Sequence, residues 1–192
     1  PILTYLITSR SIYCLTTSAG FSLAGIISYS QGHLRRCTNN KEGTITITGN
    51  INTNGSRSTE ASPKSGSYVI AGICGYKTVQ TMNDCKNHAD IIYSGTVTEL
   101  HATNFGQLRI GGYQGYGSMD VNGATCDGKI TLSGTFGCEV QTGGVLAFNY
   151  GNPGTITSNT DFEISGTFNG GLTVGGVVSV AYGTLGNYIY NG

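Results

Sequence analysis

The sequence predicts an all-β fold, a right-handed parallel β-solenoid (β-helix) of about five coils with insertions from one corner. Three observations support this prediction: a strand-like octet recurs, a glycine pair recurs ahead of it, and only one part of the spacing between them varies. A solenoid stacks structural repeats that contact only their neighbours, so an internal repeat is its sequence signature. Right-handedness is the default for parallel crossover connections.

The composition favours strands as well. The 192 residues include 31 glycines, 12 tyrosines and no tryptophan, and only 10% are charged. Apolar β-branched and aromatic residues recur at regular positions among Thr, Ser and Asn, which favours strands over disorder or long helices. The 10 basic and 10 acidic residues balance, so nucleic acid is not an expected partner. No apolar run approaches the roughly 20 residues of a membrane span.

The octet is the first repeated element, as in "KITLSGTF" (129–136) and "DFEISGTF" (161–168). Apolar residues stand two and four positions before its glycine and two after it, which is the period of a strand with one buried face. We expect each copy to pair in parallel with the same strand of neighbouring coils, and residues 11–15 to occupy the place of an earlier copy. The glycine fits a position that crowds the next coil or needs positive φ. The octet glycines are Gly49, Gly95, Gly134 and Gly166.

The second element is a glycine anchor within stretches such as "IAGICG" (70–75) and "IGGYQG" (110–115). Four residues after each of the first four anchors stands an aromatic residue, so stacked coils would place one ring above the next at a corner of the core. Exposed rings could instead stack on sugars. Twelve to fourteen residues after the first three anchors stands a cysteine. The anchors are Gly25, Gly72, Gly112, Gly144 and Gly176, and the predicted structural ladder is Tyr29, Tyr76, Tyr116, Phe148, Cys37, Cys85 and Cys126.

The spacing of the two glycines locates the insertions. From anchor to octet glycine the interval is nearly constant, whereas from octet glycine to the next anchor it shrinks along the chain. The extra length lies in residues 50–68 and 96–108, which therefore leave from one corner, often the binding face of a solenoid. A solvated loop without a partner is the alternative. The candidate ligand- or partner-binding residues are Arg57, Glu60, Lys64, His101 and Arg109.

The domain prediction is one β-solenoid segment, residues 1–192. Residues 190–192 fall where residues 126–128 fall in their own repeat, and neither end shows a capping helix. An open coil is an unpaired sheet edge. We therefore expect a segment of a longer repeat array, whose partners are a continuation of the same chain or a second copy joined through open coil edges.

The hydrophobic-Gly-Gly-hydrophobic-x-Gly setting of the anchors resembles the GLUG-type repeats of bacterial surface proteins. The Cys-x-Asn step at Cys37 and Cys85 is similar to repeats of large secreted proteins of Bacteroidetes-like gut bacteria. The resemblance covers about residues 11–192. It implies a right-handed β-solenoid in an extracellular, cell-surface adhesin or filament. Thr142 replaces the first hydrophobic residue in one copy, and Ser158 replaces the cysteine.

The cysteines and histidines do not form a metal-binding pattern. No Cys-x-x-Cys occurs, and His33, His88 and His101 lie at unrelated repeat positions, so no metal and no cofactor are expected. Free cysteine behaves as a small hydrophobe, and we expect a buried stack. An oxidising compartment would allow a disulfide such as Cys74–Cys85. The six cysteines are Cys14, Cys37, Cys74, Cys85, Cys126 and Cys138.

A catalytic set is not recognisable. Residues 159–161 match the first piece of the polygalacturonase pattern, but its Asp-Asp, Gly-His-Gly and Arg-x-Lys pieces do not follow. Asp84, Asp127 and Asp161 are expected as turn residues, and no nucleophile elbow or phosphate loop occurs. A regular Thr-x-Thr ice-binding array does not extend beyond Thr46 and Thr48.

The expected function is that of a non-catalytic extracellular structural or adhesive protein whose partner is a glycan or a host surface protein. Two alternatives stay open: a carbohydrate-active β-helix that binds or cleaves a polysaccharide, and a phage or receptor-binding fibre.

Overall fold

The computed structural model of the chain describes residues 10–13, 21–51, 68–98, 107–184 and 186–192. These residues are nearly all β, and their single helical element is one 3-10 turn, Lys41–Gly43. Every strand pair is parallel. The predicted parallel β-solenoid is confirmed, and its right-handedness stays a prediction.

The strands fall into five coils. The first contains β1 (Arg10–Tyr13), β2 (Phe21–Ala24), β3 (Ile27–Ser30), β4 (Leu34–Arg35) and β5 (Thr38–Asn39). The second contains β6 (Ile45–Ile51), β7 (Tyr68–Ala71), β8 (Cys74–Lys77), β9 (Met82–Asn83) and β10 (Lys86–Asn87). The third contains β11 (Ile91–Val97), β12 (Gln107–Gly111), β13 (Gln114–Gly117), β14 (Val121–Asn122) and β15 (Ala124–Cys126). The fourth contains β16 (Ile130–Phe136), β17 (Glu139–Gly143), β18 (Leu146–Asn149) and β19 (Ile156–Ser158). The fifth contains β20 (Phe162–Phe168), β21 (Leu172–Gly175), β22 (Val178–Ala181) and β23 (Tyr188–Tyr190).

Equivalent strands of successive coils form five sheets. Sheet 1 is β1-β6-β11-β16-β20, sheet 2 is β2-β7-β12-β17-β21, and sheet 3 is β3-β8-β13-β18-β22. Sheet 5 is β5-β10-β15-β19-β23, while sheet 4 has only β4, β9 and β14, because coils 4 and 5 pass from sheet 3 to sheet 5 without that strand. Each coil therefore lies directly on the one before it.

Sheet 1 consists of the octets, and the predicted register is confirmed. Gly49, Gly95, Gly134 and Gly166 stand opposite one another, and β1 pairs with β6 from Arg10 opposite Ile45 onwards. Gly134 has φ +131°, and a Cβ added there would lie 1.8 Å from the carbonyl oxygen of Gly95. Both of the proposed reasons for the glycine therefore apply.

The insertions leave from the corner between sheets 1 and 2, as predicted. In coil 4 the strands of the two sheets are joined by a short connection, because β16 ends at Phe136 and β17 begins at Glu139. In coils 2 and 3 the same corner spans the residues between Ile51 and Tyr68 and between Val97 and Gln107. The connection at this corner is therefore longer in coils 2 and 3 than in coil 4, while the flanking strands keep their register.

The interior contains two apolar clusters side by side. Inward side chains of sheets 1 and 2, including Ile47, Tyr93 and Leu132, form the first. Residues from sheets 3, 4 and 5, including Met82 and Ile156, form the second. Burying one such side chain contributes about 1.5–3 kcal/mol, so the two clusters supply the main stabilisation of the stack.

The anchor glycines lie where sheet 5 packs against the corner between sheets 2 and 3. A Cβ on Gly72 would lie 2.2 Å from the carbonyl oxygen of Gly112 and 2.3 Å from Cγ of Asn87. The Asn39 amide donates to the oxygen of Gly72 at 3.1 Å and to Asn87 Oδ1 at 2.9 Å. Glycine is needed here because a neighbouring coil and a buried amide occupy the space of a side chain.

Among the described residues, one lysine is fully buried. The Lys77 ammonium donates to the carbonyl oxygens of Gly32, at 2.6 Å, and Val79. Burial lowers the pKa of Lys77. These bonds replace water at the turn after sheet 3, where coils 1 and 2 meet, so the lysine has a structural role.

Candidate binding surfaces

Four of the five candidate binding residues, Arg57, Glu60, Lys64 and His101, lie outside the described residues. Arg109 is described, and it lies in strand β12 rather than in the preceding insertion. Its side chain is buried with 8% of its surface exposed. A long cation can be buried here because sheet 3 covers the outer face of sheet 2.

The surroundings of Arg109 explain its burial. Its guanidinium lies over the rings of Tyr116 and Phe148, with Cζ 4.9 Å and 4.4 Å from their centroids. Its Nε donates to Gln141 Oε1 at 3.0 Å, and its Nη2 donates to Gln107 Oε1. Burial lowers the pKa of Arg109. The residue joins the aromatic column to the polar face of sheet 2.

The predicted aromatic column is present. Tyr29, Tyr76, Tyr116 and Phe148 stack with ring centroids 5.5, 4.9 and 5.2 Å apart and interplanar angles of 13°, 19° and 4°. Successive rings cover each other's faces, so those faces are not free for a sugar. The column belongs to neither apolar cluster. The rings of the column lie on sheet 3 and face Arg109 on the polar face of sheet 2. The column therefore does not fill a corner of the apolar core, in contrast to the sequence prediction.

Two tyrosines that the repeat pattern did not single out extend this column to the surface. Tyr150 is 49% exposed and Tyr182 is 68% exposed, and their rings stack 4.9 Å apart. Tyr150 also meets Phe148 edge to face at 4.9 Å. The repeat could have identified them, since each follows the last residue of a sheet 3 strand. The outward ring of Tyr182 is the most exposed large hydrophobic side chain among the described residues.

A row of amides and one carboxylate lies on the polar face of sheet 2. Gln107 Nε2 donates to Glu139 Oε2 at 2.7 Å, and Gln141 Nε2 donates to Glu139 Oε1 at 3.0 Å. Hydrogen-bonding groups beside exposed aromatic rings are what polar ligands such as sugars require. We call Tyr150, Tyr182, Gln107 and Glu139, together with the buried Arg109, the tyrosine surface.

A second candidate site is a charged cleft at the corner between sheets 5 and 1, with a volume of about 540 Å³. Backbone hydrogen bonds place Asp90, Lys129 and Asp161 at one register of successive coils. They likewise place His88 and Asp127 at one register of coils 2 and 3. The lining residues are Lys41, His88, Asp90, Asp127, Lys129 and Asp161.

Hydrogen bonds between coils organise the cleft. His88 Nδ1 lies 2.7 and 2.8 Å from the two carboxylate oxygens of Asp127. Asp90 Oδ1 accepts from the backbone nitrogen of Lys129 at 2.8 Å. The Lys129 ammonium is 2.5 Å from Glu163 Oε2, and this ion pair raises the pKa of Lys129 and lowers that of Glu163. The turn residues Asp127 and Asp161 thus share a corner with Asp90.

The cysteine column is a correction to the sequence prediction. Cys37 and Cys85 do occupy one register, since Lys86 pairs with Thr38. Cys126 does not, because it pairs with Asn87, two positions later. The five described cysteines are buried and free, and Cys14 lies outside the described residues. The predicted burial holds, but the three cysteines are not one ladder.

The described part of the chain contains no group of three or more His, Cys, Asp or Glu side chains placed to hold a metal ion. Within it, no helix is long and apolar enough to cross a membrane. The chain matches no protein-family model, and no significant match was found among curated proteins or solved structures.

Proposed function

We propose that the chain is a non-catalytic structural and adhesive segment of an extracellular bacterial surface protein, of the adhesin or filament kind. The observation that carries the proposal is the unbroken register of sheets 1, 2, 3 and 5 through five coils. Each coil adds about 4.8 Å to the stack. A stack with a continuous core can display side-chain columns at fixed spacing along its length, which suits repeated contacts with another surface.

The outer surface supports an adhesive role. The chain carries few charges and no net charge, so contacts would depend on hydrogen bonds and aromatic rings rather than on long-range attraction. The tyrosine surface supplies both. Because ring faces within the column are covered, a glycan or a protein loop would meet the exposed Tyr182 ring and the polar row around Glu139.

The proposed partner at the end of the stack is a further coil, from the same chain or from a second copy. Leu172 and Val174 in β21 are 38% and 45% exposed, whereas their counterparts Val140 and Thr142 in β17 are fully buried. A strand added in register would cover them and satisfy the outer backbone groups of coil 5.

The test is protease shaving of intact cells that express the natural protein, with mass spectrometry of the released peptides. We expect peptides of the solenoid in the shaved fraction. Beads that carry the purified chain should adhere to glycan-coated or host-cell surfaces, and beads carrying Tyr182→Ala should adhere less. Recovery of the protein from the cytoplasm alone would refute the extracellular role. Equal adhesion of both bead types would refute the role of the tyrosine surface.

The second candidate function is that of a carbohydrate-active β-helix, and the charged cleft is the observation that favours it. Asp90 and Asp161 share a register two coils apart, which corresponds to roughly 10 Å. Inverting glycosidases place their two carboxyl groups about 6.5–9.5 Å apart. Release of reducing ends from soluble polysaccharides tests this candidate. Activity lost in Asp161→Asn but kept in Asp84→Asn, which lies outside the cleft, would favour it over adhesion. A third hypothesis is a phage or receptor-binding fibre. Binding of a polysaccharide without cleavage would be consistent with this hypothesis and with the adhesin equally.

A further inference from the structure

Two cysteines lie directly above one another on neighbouring coils. Cys37 immediately precedes β5 and Cys85 immediately precedes β10, and these strands pair in register. The backbone nitrogen of Lys86 donates to the oxygen of Cys37 at 2.8 Å. Adjacent strands are about 4.8 Å apart, and disulfides join Cα atoms about 4.4–6.8 Å apart. The backbone thus places the two Cα atoms at a separation that a disulfide can span.

The Cys85 sulfur also contacts the backbone of Cys37, while the Cys37 thiol donates to the carbonyl oxygen of Arg35. The backbone nitrogen of Cys37 donates to Cys85 Sγ at 3.3 Å. A hydrogen bond with the Cys85 side chain lowers the pKa of Cys37 to about 7, and that bond together with burial raises the pKa of Cys85. The thiolate is the form of cysteine that attacks a disulfide. The two thiols therefore interact with each other across the two coils.

The remaining described cysteines lack this arrangement. The residue at the register of Cys85 in coil 3 is Ala124, and Cys126 stands opposite Asn87 and Ser158. Cys74 stands opposite Ile27 and Gln114. Among the described cysteines, the register therefore places only Cys37 and Cys85 opposite each other.

We propose that Cys37 and Cys85 form a disulfide that joins coil 1 to coil 2. The proposal rests on the extracellular placement proposed above, because disulfides persist in oxidising compartments. It differs from the Cys74–Cys85 pairing that the sequence suggested. The bond would close a loop that contains the insertion between β6 and β7, so coil 1 would stay attached to coil 2 even if that insertion were cut.

The chemistry is thiol–disulfide exchange with a low-molecular-weight disulfide as oxidant. The Cys37 thiolate attacks one sulfur of the oxidant, the S–S bond of the oxidant breaks, and one small thiol leaves. The Cys85 thiol then gives up its proton, and its sulfur attacks the Cys37 sulfur and displaces the second small thiol. Two electrons and two protons pass from the protein to the oxidant. Because both thiols are buried, exchange occurs while the coils close during folding.

The test is to refold the purified full chain in oxidised and reduced glutathione at pH 8, block free thiols, and digest with trypsin. Cleavage after Arg36, Lys41, Lys77 and Lys86 yields peptides 37–41 and 78–86. We expect these two peptides joined by a disulfide, with the link absent from Cys37→Ser and Cys85→Ser. Cys126→Ser is the matched control that keeps the link, since coil 4 already has Ser158 at that register.

The guanidinium midpoint gives a second readout. Dithiothreitol should lower it for the wild type and Cys126→Ser but not for Cys37→Ser. Free Cys37 and Cys85 after refolding, or a different pairing such as Cys74–Cys85, would overturn the proposal. That result would leave the extracellular role intact, because protease shaving tests location independently of this bond.

Discussion

The most direct test of the stacking argument is Gly134→Ala. Gly134 lies in the middle of β16 with φ +131°, between Gly95 of coil 3 and Gly166 of coil 5. The new methyl group would lie 1.8 Å from the carbonyl oxygen of Gly95. That oxygen belongs to the backbone of the neighbouring coil, so it cannot rotate away as a side chain could.

Two terms set the magnitude. Left-handed backbone conformations cost an L-residue about 1–2 kcal/mol. Forcing extra volume into a packed site costs about 1–3 kcal/mol more. We therefore expect Gly134→Ala to lose about 2–5 kcal/mol of unfolding free energy. Domains are typically stable by about 5–15 kcal/mol, so this substitution would remove a large part of the total.

The assay is guanidinium denaturation followed by far-ultraviolet circular dichroism, with three control variants that separate the terms. Gly171→Ala carries only the dihedral cost, since Gly171 has φ +99° with no neighbouring atom within 4 Å of an added Cβ. Gly128→Ala carries only crowding, because its Cβ would lie 2.0 Å from the oxygen of Ala89. Gly32→Ala carries neither. If Gly134→Ala cost no more than Gly32→Ala, the reasoning about the octet glycine would be wrong.

Three further predictions follow from buried polar groups. Arg109→Met should lower the unfolding free energy by about 1–3 kcal/mol in urea denaturation, because it removes cation–π and hydrogen-bond contacts. A urea midpoint equal to that of the wild type would contradict this prediction. Asn87→Ala should lose about 1–3 kcal/mol, because the buried amide of Asn39 loses one of its two acceptors, Asn87 Oδ1. Asn87→Ser, which introduces the residue of coil 4 at this register, should lose less. Burial raises the pKa of Cys138 from 9.0 to about 11; the unfolded thiol ionises first, so stability falls between pH 9 and 11. In Cys138→Ala that fall should be smaller, and an equal fall in both proteins would contradict the assignment.

The sequence predicted the fold well because parallel in-register stacking turns structural period into sequence period. Gly95 and Gly134 must each meet the glycine of the coil before, so the same residue type recurs at the same place. The corner of the insertions followed from the same logic. Glycines mark the register strictly because backbone atoms of the neighbouring coil occupy the volume that a side chain would need.

Positions that are filled by side chains were less predictable. Cys37, Cys85 and Cys126 stand twelve to fourteen residues after their anchors, and a spacing that varies by two residues does not fix a strand register. A small residue, Ala124, occupies the register of Cys85 in coil 3. Asp90, Lys129 and Asp161 share a register although their charges differ, since solvent tolerates either sign at the corner. The burial of Arg109 depends on sheet 3 folding back over sheet 2, which no local pattern of apolar residues reveals.

The corner between sheets 1 and 2 can change in length without changing the strands on either side of it. A longer connection raises the entropy cost of closing it by only about 0.6 kcal/mol for each doubling of length. Strand register elsewhere in the coil does not depend on that length, since β16 and β17 align with β11 and β12 despite their different connections. We therefore expect segments at this corner to vary freely in length and sequence, and the glycine ladders that hold the stack to tolerate few substitutions.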